Sequence, residues 1–265
     1  MLKDVTLGQF FPGNTVVHRL DPRTKLIWVI LYIVALFNAY DWFSYALVLV
    51  VTVACIAASK IKPATILRGL KPLIFVIVLT AVLNMFYTDG TPIIPGWIIT
   101  WEGLKKAFLL VLRIMMLIAG TFLLTYTTSP IALTDGLELL LNPLKKIKIP
   151  VHEMAMMMSM ALRFIPTLTE ETDKIMSAQK ARGADFETGS LVQRAKALLP
   201  ILVPLFVSAF RRADELAVAM ESRCYHGGEG RTRMKTLHMA KRDLAALLLG
   251  AAFVAAVIVM KKFGL

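Results

Sequence analysis

Long apolar segments are the feature of this sequence that most restricts its fold. A bilayer core takes about 20 mainly apolar residues of α-helix, and five segments approach that length. We predict spans at 26–39, 43–59, 72–87, 104–126 and 244–260. A hydrophobic fraction of 57% and a mean hydropathy of +0.66 are likewise typical of a chain surrounded by lipid. The sequence therefore predicts an all-α integral membrane protein with about five transmembrane helices.

The distribution of lysine and arginine predicts how these spans are oriented. Four of these residues precede the first span and four lie in the link 60–71, whereas the turn 40–42 and the link 88–103 contain none. Because cytoplasmic loops carry the excess of Lys and Arg, the N-terminus is predicted to be cytoplasmic. Lys261 and Lys262, at the end that should finish outside, oppose this rule weakly. We expect a multi-pass protein of the cell membrane.

Three regions follow from this topology. Residues 1–127 are predicted to form a membrane domain of four spans, 128–241 a cytoplasmic helical domain, and 242–265 a C-terminal transmembrane helix. Helical patterns recur through the second region, so it is not a linker. Thr167, followed by Glu170, suggests a capping box that would begin a new helix there.

One further stretch, 197–210, has no charged residue. Its 14 residues are too few to span a bilayer, yet too apolar for one face of a soluble helix. We expect this stretch to face lipid, another membrane subunit or the interior of a bundle. Pro200 and Pro204 should bend the helix and leave backbone carbonyls without donors.

The composition excludes several functional classes. The net charge of +12 would suggest nucleic acid in a soluble protein, but it suits the cytoplasmic loops of a membrane protein, and no basic stripe with interleaved aromatic residues occurs. No phosphate-binding or hydrolase motif is present. Cys55 and Cys224 are not expected to pair, and no Cys/His cluster suggests a metal. We expect no nucleic-acid partner, catalytic residue, metal or cofactor, and so no enzyme.

Two short motifs resemble each other. Ala181-Arg182-Gly183 and Ser222-Arg223-Cys224 each place an arginine near the end of a predicted helix, 41 residues apart. A cation at the negative end of a helix contributes about 0.3–1 kcal/mol, which explains one arginine well. Two helices that end alike, with small flanking residues, also suit docking, because arginine presents a rigid fork of donors to a groove. Both interpretations remain open on the residues alone.

Several longer motifs resemble the transmembrane T component of energy-coupling factor transporters, a CbiQ-like family. They are HRLDPRTKL at 18–26, ALRFIP at 161–166, Glu170, and AQKARG at 178–183. They occur in matching order over most of the chain. The second arginine motif departs from the commoner Ala-Arg-Gly form, with Ser222 before the arginine and Cys224 after it.

The resemblance implies a scaffold that couples ATP hydrolysis in partner subunits to uptake. Two ABC ATPase subunits would receive Arg182 and Arg223 in their grooves, and a vitamin- or metal-binding S component would contact a Met-rich helix and the uncharged stretch 197–210. The candidate residues for that second contact are Met154, Met157, Met158, Leu198, Leu202, Leu205 and Phe206. Methionine suits surfaces that accept several partners, although ordinary helix packing also explains a Met stripe.

Arg113 is a charged residue inside the fourth predicted span. Such a charge is costly and is usually paired or faces a cavity. We predict a tie between helices, with Asn84 and Asp89 as candidate partners, rather than a substrate contact. Two other functional hypotheses stay open: a permease that binds and conducts a small substrate itself, and a membrane-anchored regulator without transport. The transported vitamin or metal does not follow from the sequence.

Overall fold

A computed structural model describes residues 10–91, 100–186, 188, 190–227 and 236–263. This part of the chain forms nine α-helices and two 3₁₀ segments, and it contains no extended strand. The α-helices are α1 (Pro22–Asn38), α2 (Trp42–Ser59), α3 (Pro63–Leu70), α4 (Ile74–Tyr87), α5 (Trp101–Thr127), α6 (Pro130–Leu141), α7 (Val151–Ala181), α8 (Leu191–Glu221) and α9 (Lys241–Phe263). The all-α fold is confirmed.

The chain divides into two compact units, which are described separately. The first unit contains residues 8–137 and 237–265, and the second contains residues 138–236. Helices α1 to α5 and α9 belong to the first unit, and α7 and α8 belong to the second. The chain thus leaves the first unit after residue 137 and returns to it at residue 237.

Helix α1 lies at the centre of the first unit. Asp21 followed by Pro22 in the sequence predicts a helix start, since Asp can cap a helix and Pro fits its first position. This start is confirmed, because the Asp21 carboxylate accepts a hydrogen bond from the Arg23 amide and Pro22 occupies the first turn. Helices α2, α5 and α9 pack around α1. Their shared apolar core contains Tyr32, Ala35, Leu36, Ala39, Tyr45, Val48, Leu109, Met116, Phe253 and Val257.

The helices that can cross a membrane differ from the predicted set in two members. By length and composition, five helical stretches qualify among the described residues: Trp42–Ser59, Pro63–Tyr87, Trp101–Thr127, Val192–Glu221 and Lys241–Phe263. Helix α1, with 17 residues, is one residue shorter than α2 and is not among these five stretches, whereas helix α8 is.

Helix α8 qualifies, whereas the sequence alone predicts that its uncharged stretch is too short to span. The stretch is the middle of a 31-residue helix, so apolar residues on both sides of it extend the length available. Pro200 and Pro204 both lie inside this continuous helix. The helix begins with a capping box, in which Ser190 Oγ accepts from the Gln193 amide and Gln193 Oε1 accepts from the Ser190 amide.

The capping box predicted at Thr167 and Glu170 is wrong. Helix α7 runs without interruption from Val151 to Ala181, with Pro166 inside it. Proline lacks only its own donor and constrains the preceding turn, which a long helix can tolerate at some cost. Thr167 and Glu170 both lie inside this helix, so neither begins a new one.

Candidate interaction site on helices α7 and α8

Arg182 sits at the end of α7 in a turn of defined geometry. Gly183 follows it with φ +89°, in the left-handed region that favours glycine. The Ala184 amide donates to the Gln179 carbonyl (3.0 Å) and the Gly183 amide donates to the Lys180 carbonyl (3.0 Å). These two bonds are the Schellman pattern, which satisfies the last carbonyls of a helix. Glycine is the natural residue just after a helix, so the sequence predicts that Arg182-Gly183 ends this one, and the structure confirms it.

Arg223 sits in the same turn at the end of α8. The Tyr225 amide donates to the Met220 carbonyl (3.1 Å) and the Cys224 amide donates to the Glu221 carbonyl (2.8 Å). Cys224 takes the position of Gly183, with φ +57°. A residue with a side chain adopts this conformation at a cost of about 1–2 kcal/mol. The replacement of Gly by Cys in the second motif therefore preserves the backbone turn.

Both arginines are exposed at these turns. Neither forms a salt bridge with another described residue. Because each arginine directly follows the carbonyl end of its helix, the negative end of the helix dipole favours a positive charge at this position. A rigid turn holds the backbone of each arginine while its side chain is available to a partner.

Helices α7 and α8 pack against each other through a polar contact. Glu171 Oε2 accepts from Arg212 Nη2 at 2.9 Å, and Ser208 Oγ donates to Glu171 Oε1. The Ser208 hydroxyl and the Arg212 guanidinium hold the pKa of the Glu171 carboxyl below its usual range. Glu171 precedes Arg182 by 11 residues, and Arg212 precedes Arg223 by the same number. The polar contact between the two helices therefore lies equally far before the arginine turn in α7 and in α8.

The candidate S-component residues lie on exposed surface of these helices. Met154, Met157 and Met158 on α7 are more than half exposed, at 53%, 59% and 54%. On α8, Leu198, Leu202 and Phe206 are exposed and Leu205 is partly buried. Exposed apolar surface of this extent is unusual on a soluble domain and marks contact with a protein or a membrane.

Arg113 forms the predicted tie between helices, but its predicted partners are wrong. Arg113 Nη2 donates to the carbonyl of Ala39, the C-cap of α1, at 3.1 Å. The guanidinium carbon also lies 5.9 Å from the ring centroid of Phe37 and 5.6 Å from that of Tyr45. Asn84 instead donates to the Thr80 carbonyl in its own helix. The charge therefore joins α5 to the end of α1.

Lys261 approaches the same end of α1. Its Nζ lies 3.4 Å from Asn38 Oδ1. A cation near the carbonyl end of a helix is favourable. Lys261 opposes the predicted topology, in which this end of the chain lies outside. The contact with Asn38 gives a local structural reason for a cation at this position.

Comparison with known proteins assigns this chain to a family. The family described as CbiQ, cobalt transport protein, matches residues 13–234. The chain belongs to this cobalt transport protein family. The match includes both arginine turns and the 18–26 motif.

Named relatives cover nearly the whole chain. A protein of Thermosediminibacter oceani is 57% identical over 249 residues, which cover 93% of this chain and 94% of the relative. Proteins of Clostridium kluyveri and Bacillus subtilis are 55% and 49% identical, over 94% of this chain in each case and over 93% and 95% of the relative. All three carry the name "energy-coupling factor transporter transmembrane protein EcfT". This CbiQ-family chain is accordingly a multi-pass membrane protein of a transport family.

Sequence reasoning missed the contact of Glu171 with Ser208 and Arg212. A signal was present, since an acidic and a basic residue lie at equal distances before the two arginine motifs. The equal spacing becomes informative only when the two helices are known to pack against each other.

Among the described residues, no group of three or more His, Cys, Asp or Glu side chains could hold a metal ion.

Proposed function

We propose that this chain is the transmembrane component of an energy-coupling factor transporter. It would transmit the movement of two ABC ATPase subunits to an S component that binds a vitamin or a metal, and so drive uptake. The named relatives support the assignment to such a transporter. The coupling role is supported above all by one observation: two packed helices end in equivalent turns, each with an exposed arginine.

Docking by the arginines explains this arrangement better than helix-end stabilisation alone. A helix-end cation contributes about 0.3–1 kcal/mol wherever it lies in the last turn, so it requires neither equal turns nor small neighbours. Insertion of a guanidinium into a groove favours equal turns and small neighbours. The planar donor group of arginine must meet carboxylate or carbonyl acceptors at a set distance. Each arginine would contact a different ATPase subunit.

The apolar surface of α7 and α8 supports a second interface. The S component would cover the exposed methionines of α7 and the apolar residues of α8. In this arrangement one pair of helices carries both contacts, so a displacement at the arginine turns reaches the S component through helices and not through loops. The membrane would contact the remaining apolar surface, and the helix pair would lie on the cytoplasmic side.

A permease that conducts substrate itself has less support. It would need polar or charged groups free to bind substrate near the middle of the membrane. The charge that suggested such a site, Arg113, bonds the Ala39 carbonyl and lies near two aromatic rings. Co-purification also separates the hypotheses, since a permease or a regulator need not bring both an ATPase pair and an S component with it.

The decisive experiment replaces the two arginines singly and together. The transporter is purified through a tag on the S component, and the bound ATPase subunits and the uptake in proteoliposomes are measured. Truncation of one side of a buried charged contact typically costs about 2–5 kcal/mol, so Arg182→Ala and Arg223→Ala should each impair assembly or uptake. The double variant should abolish both. Lysine should not rescue fully, because it lacks the planar fork.

Arg194 is the matched control for these substitutions. It is an exposed cation near the start of α8, away from both turns, and Arg194→Ala should leave assembly and uptake unchanged. Assembly and transport at the parental level by the double variant would refute docking and leave the arginines as helix-end charges.

A further inference from the structure

The start of α1 contains buried charged residues that the docking role does not use. Asp21, Lys25 and Asp243 are 7%, 6% and 2% exposed, all within the first unit. Burial of a charge is costly unless the group is paired and hydrogen-bonded. The contacts of these three residues therefore indicate what the cluster holds in place.

Lys25 holds the chain where it leaves the first unit. Its Nζ donates to the Thr127 carbonyl at 3.0 Å, to Thr128 Oγ1 at 3.1 Å and to the His18 carbonyl at 3.1 Å. An ammonium group has three donors, so all of them are used. Thr127 is the last residue of α5, and nine residues after Thr128 the chain passes to the second unit.

Close packing holds the same outgoing segment at a second point. Gly136 lies against Pro22, where an added Cβ would come within 2.9 Å of Pro22 Cβ. Real Cβ atoms do not tolerate such an approach, so only glycine allows α6 to lie this near the start of α1. The outgoing segment thus contacts the 18–25 segment at both of its ends, near Thr128 and near Gly136.

Asp243 and Arg23 hold the chain where it returns. Asp243 Oδ1 accepts from the Asp21 amide and Asp243 Oδ2 accepts from the Ala240 amide, both at 2.8 Å. Arg23 Nη2 donates to the carbonyl of Leu237 at 3.2 Å, and Leu237 is the first residue of the returning chain. Both connections to the second unit are therefore bonded to one short segment of α1 and its cap.

We propose that the start of α1 and its cap form, together with Asp243, an anchor that fixes both chain connections between the two units. Its members are the residues that make the contacts above: His18, Asp21, Pro22, Arg23, Lys25 and Asp243. The inference rests on the proposed coupling function, since it concerns what happens when partner subunits displace α7 and α8. With both connections held, a displacement of the helix pair is not absorbed by sliding or unwinding of residues 128–137 and 237–240. These anchor residues are positioning residues that contact neither an ATPase nor an S component.

Charged hydrogen bonds suit this role better than apolar contacts would. Apolar attraction is non-directional, whereas a charged donor aimed at one carbonyl specifies a single register. Breaking such a bond also leaves a buried charge uncompensated. The anchor thus resists small displacements of the two chain connections that an apolar contact alone would permit.

The test measures coupling in the complete transporter, reconstituted in proteoliposomes with its ATPase and S subunits. Three variants loosen one connection each: Lys25→Met and Thr128→Val act on the outgoing segment, and Asp243→Asn acts on the returning one. Thr128→Val keeps the side-chain shape and removes only the Oγ1 acceptor of Lys25. It therefore tests the outgoing connection even if the Lys25→Met variant does not fold. Arg19→Ala is the control, because Arg19 is an exposed cation of the same segment. Subunit content, ATP hydrolysis and uptake are measured on the same preparation.

We expect uptake per ATP hydrolysed to fall about tenfold in Lys25→Met and Asp243→Asn, the scale of one lost charged hydrogen bond. The fall in Thr128→Val should be smaller, and Arg19→Ala should show none. Subunit content should stay near the parental level, because both arginine turns are unchanged. An unchanged ratio in the three variants, or loss of uptake only in step with lost subunits, would overturn the anchor.

These outcomes are distinct from failure of the docking proposal. The arginine variants test docking through subunit content, whereas the anchor variants test the ratio of uptake to hydrolysis. Normal assembly of the Arg182 and Arg223 double variant would refute docking without a change in the anchor result. A parental ratio in the anchor variants would refute the anchor with docking intact.

Discussion

The residues after the two arginines should respond to substitution in opposite directions. Gly183 has φ +89°, and an added Cβ would meet no atom within 4 Å. The cost of Gly183→Ala is therefore conformational and not steric, at about 1–2 kcal/mol for a side chain in the left-handed region. Cys224 already bears that cost at φ +57°, so Cys224→Gly should relieve it.

The greater freedom of glycine in the unfolded chain offsets both effects, by roughly 0.5–1 kcal/mol. The net gain from Cys224→Gly and the net loss from Gly183→Ala should therefore each be about 0.5–1 kcal/mol. If the turns must be formed for docking, Gly183→Ala should weaken ATPase binding by about two- to fivefold, since about 1.4 kcal/mol is tenfold. Cys224→Gly should strengthen binding by about two- to fivefold.

The assay is titration of purified ATPase subunits onto the chain in lipid nanodiscs, with the dissociation constant as readout. Cys224→Ser is the matched control, because it removes the thiol and keeps a side chain at positive φ. It should bind as the parent does. Equal affinity of the parent, Gly183→Ala and Cys224→Gly would refute the idea that the turn geometry prepares the arginines for docking.

Three further predictions concern the other parts of the molecule. A charge at Leu202 or Phe206 should weaken association with the S component and leave ATPase docking largely intact, because a buried unpaired charge is costly; pull-down of each subunit measures this. Arg113→Met should lower the unfolding free energy in detergent by about 1–3 kcal/mol, because the Ala39 carbonyl loses a charged donor. Cysteine labelling in intact cells should reach position 97, which lies outside the described residues, but not residues 128–241.

Each of these predictions has an outcome that would contradict it. Unchanged pull-down of the S component would mean that the α8 stretch faces lipid or packs internally, and Val192, which is also exposed but lies at the start of α8, provides a control position. Unchanged stability of Arg113→Met would show that the tie between α5 and α1 contributes nothing net. Labelling at position 97 only after permeabilisation would reverse the topology.

The local features of the chain followed from the sequence. The apolar segments predicted a helical membrane protein, because backbone groups in lipid must bond within a helix. Asp21 with Pro22 predicted the start of α1, and Gly183 predicted the end of α7. The spacing of the two arginine motifs was equally visible. The cap and the glycine turn act within a few residues, and the apolar segments and repeated motifs are read directly from the sequence, so no contact between distant residues was needed.

The tertiary structure decided what depends on contacts between distant residues. Arg113 bonds the end of α1 and not the polar residues nearest to it in the predicted topology. The continuity of α7 through Pro166 could not be read from a capping pattern, since a long helix can tolerate one missing donor. Asp21 was visible as a cap, but its amide bonds Asp243, 222 residues away. The free energy of such contacts depends on burial and on partners that only the folded chain brings together.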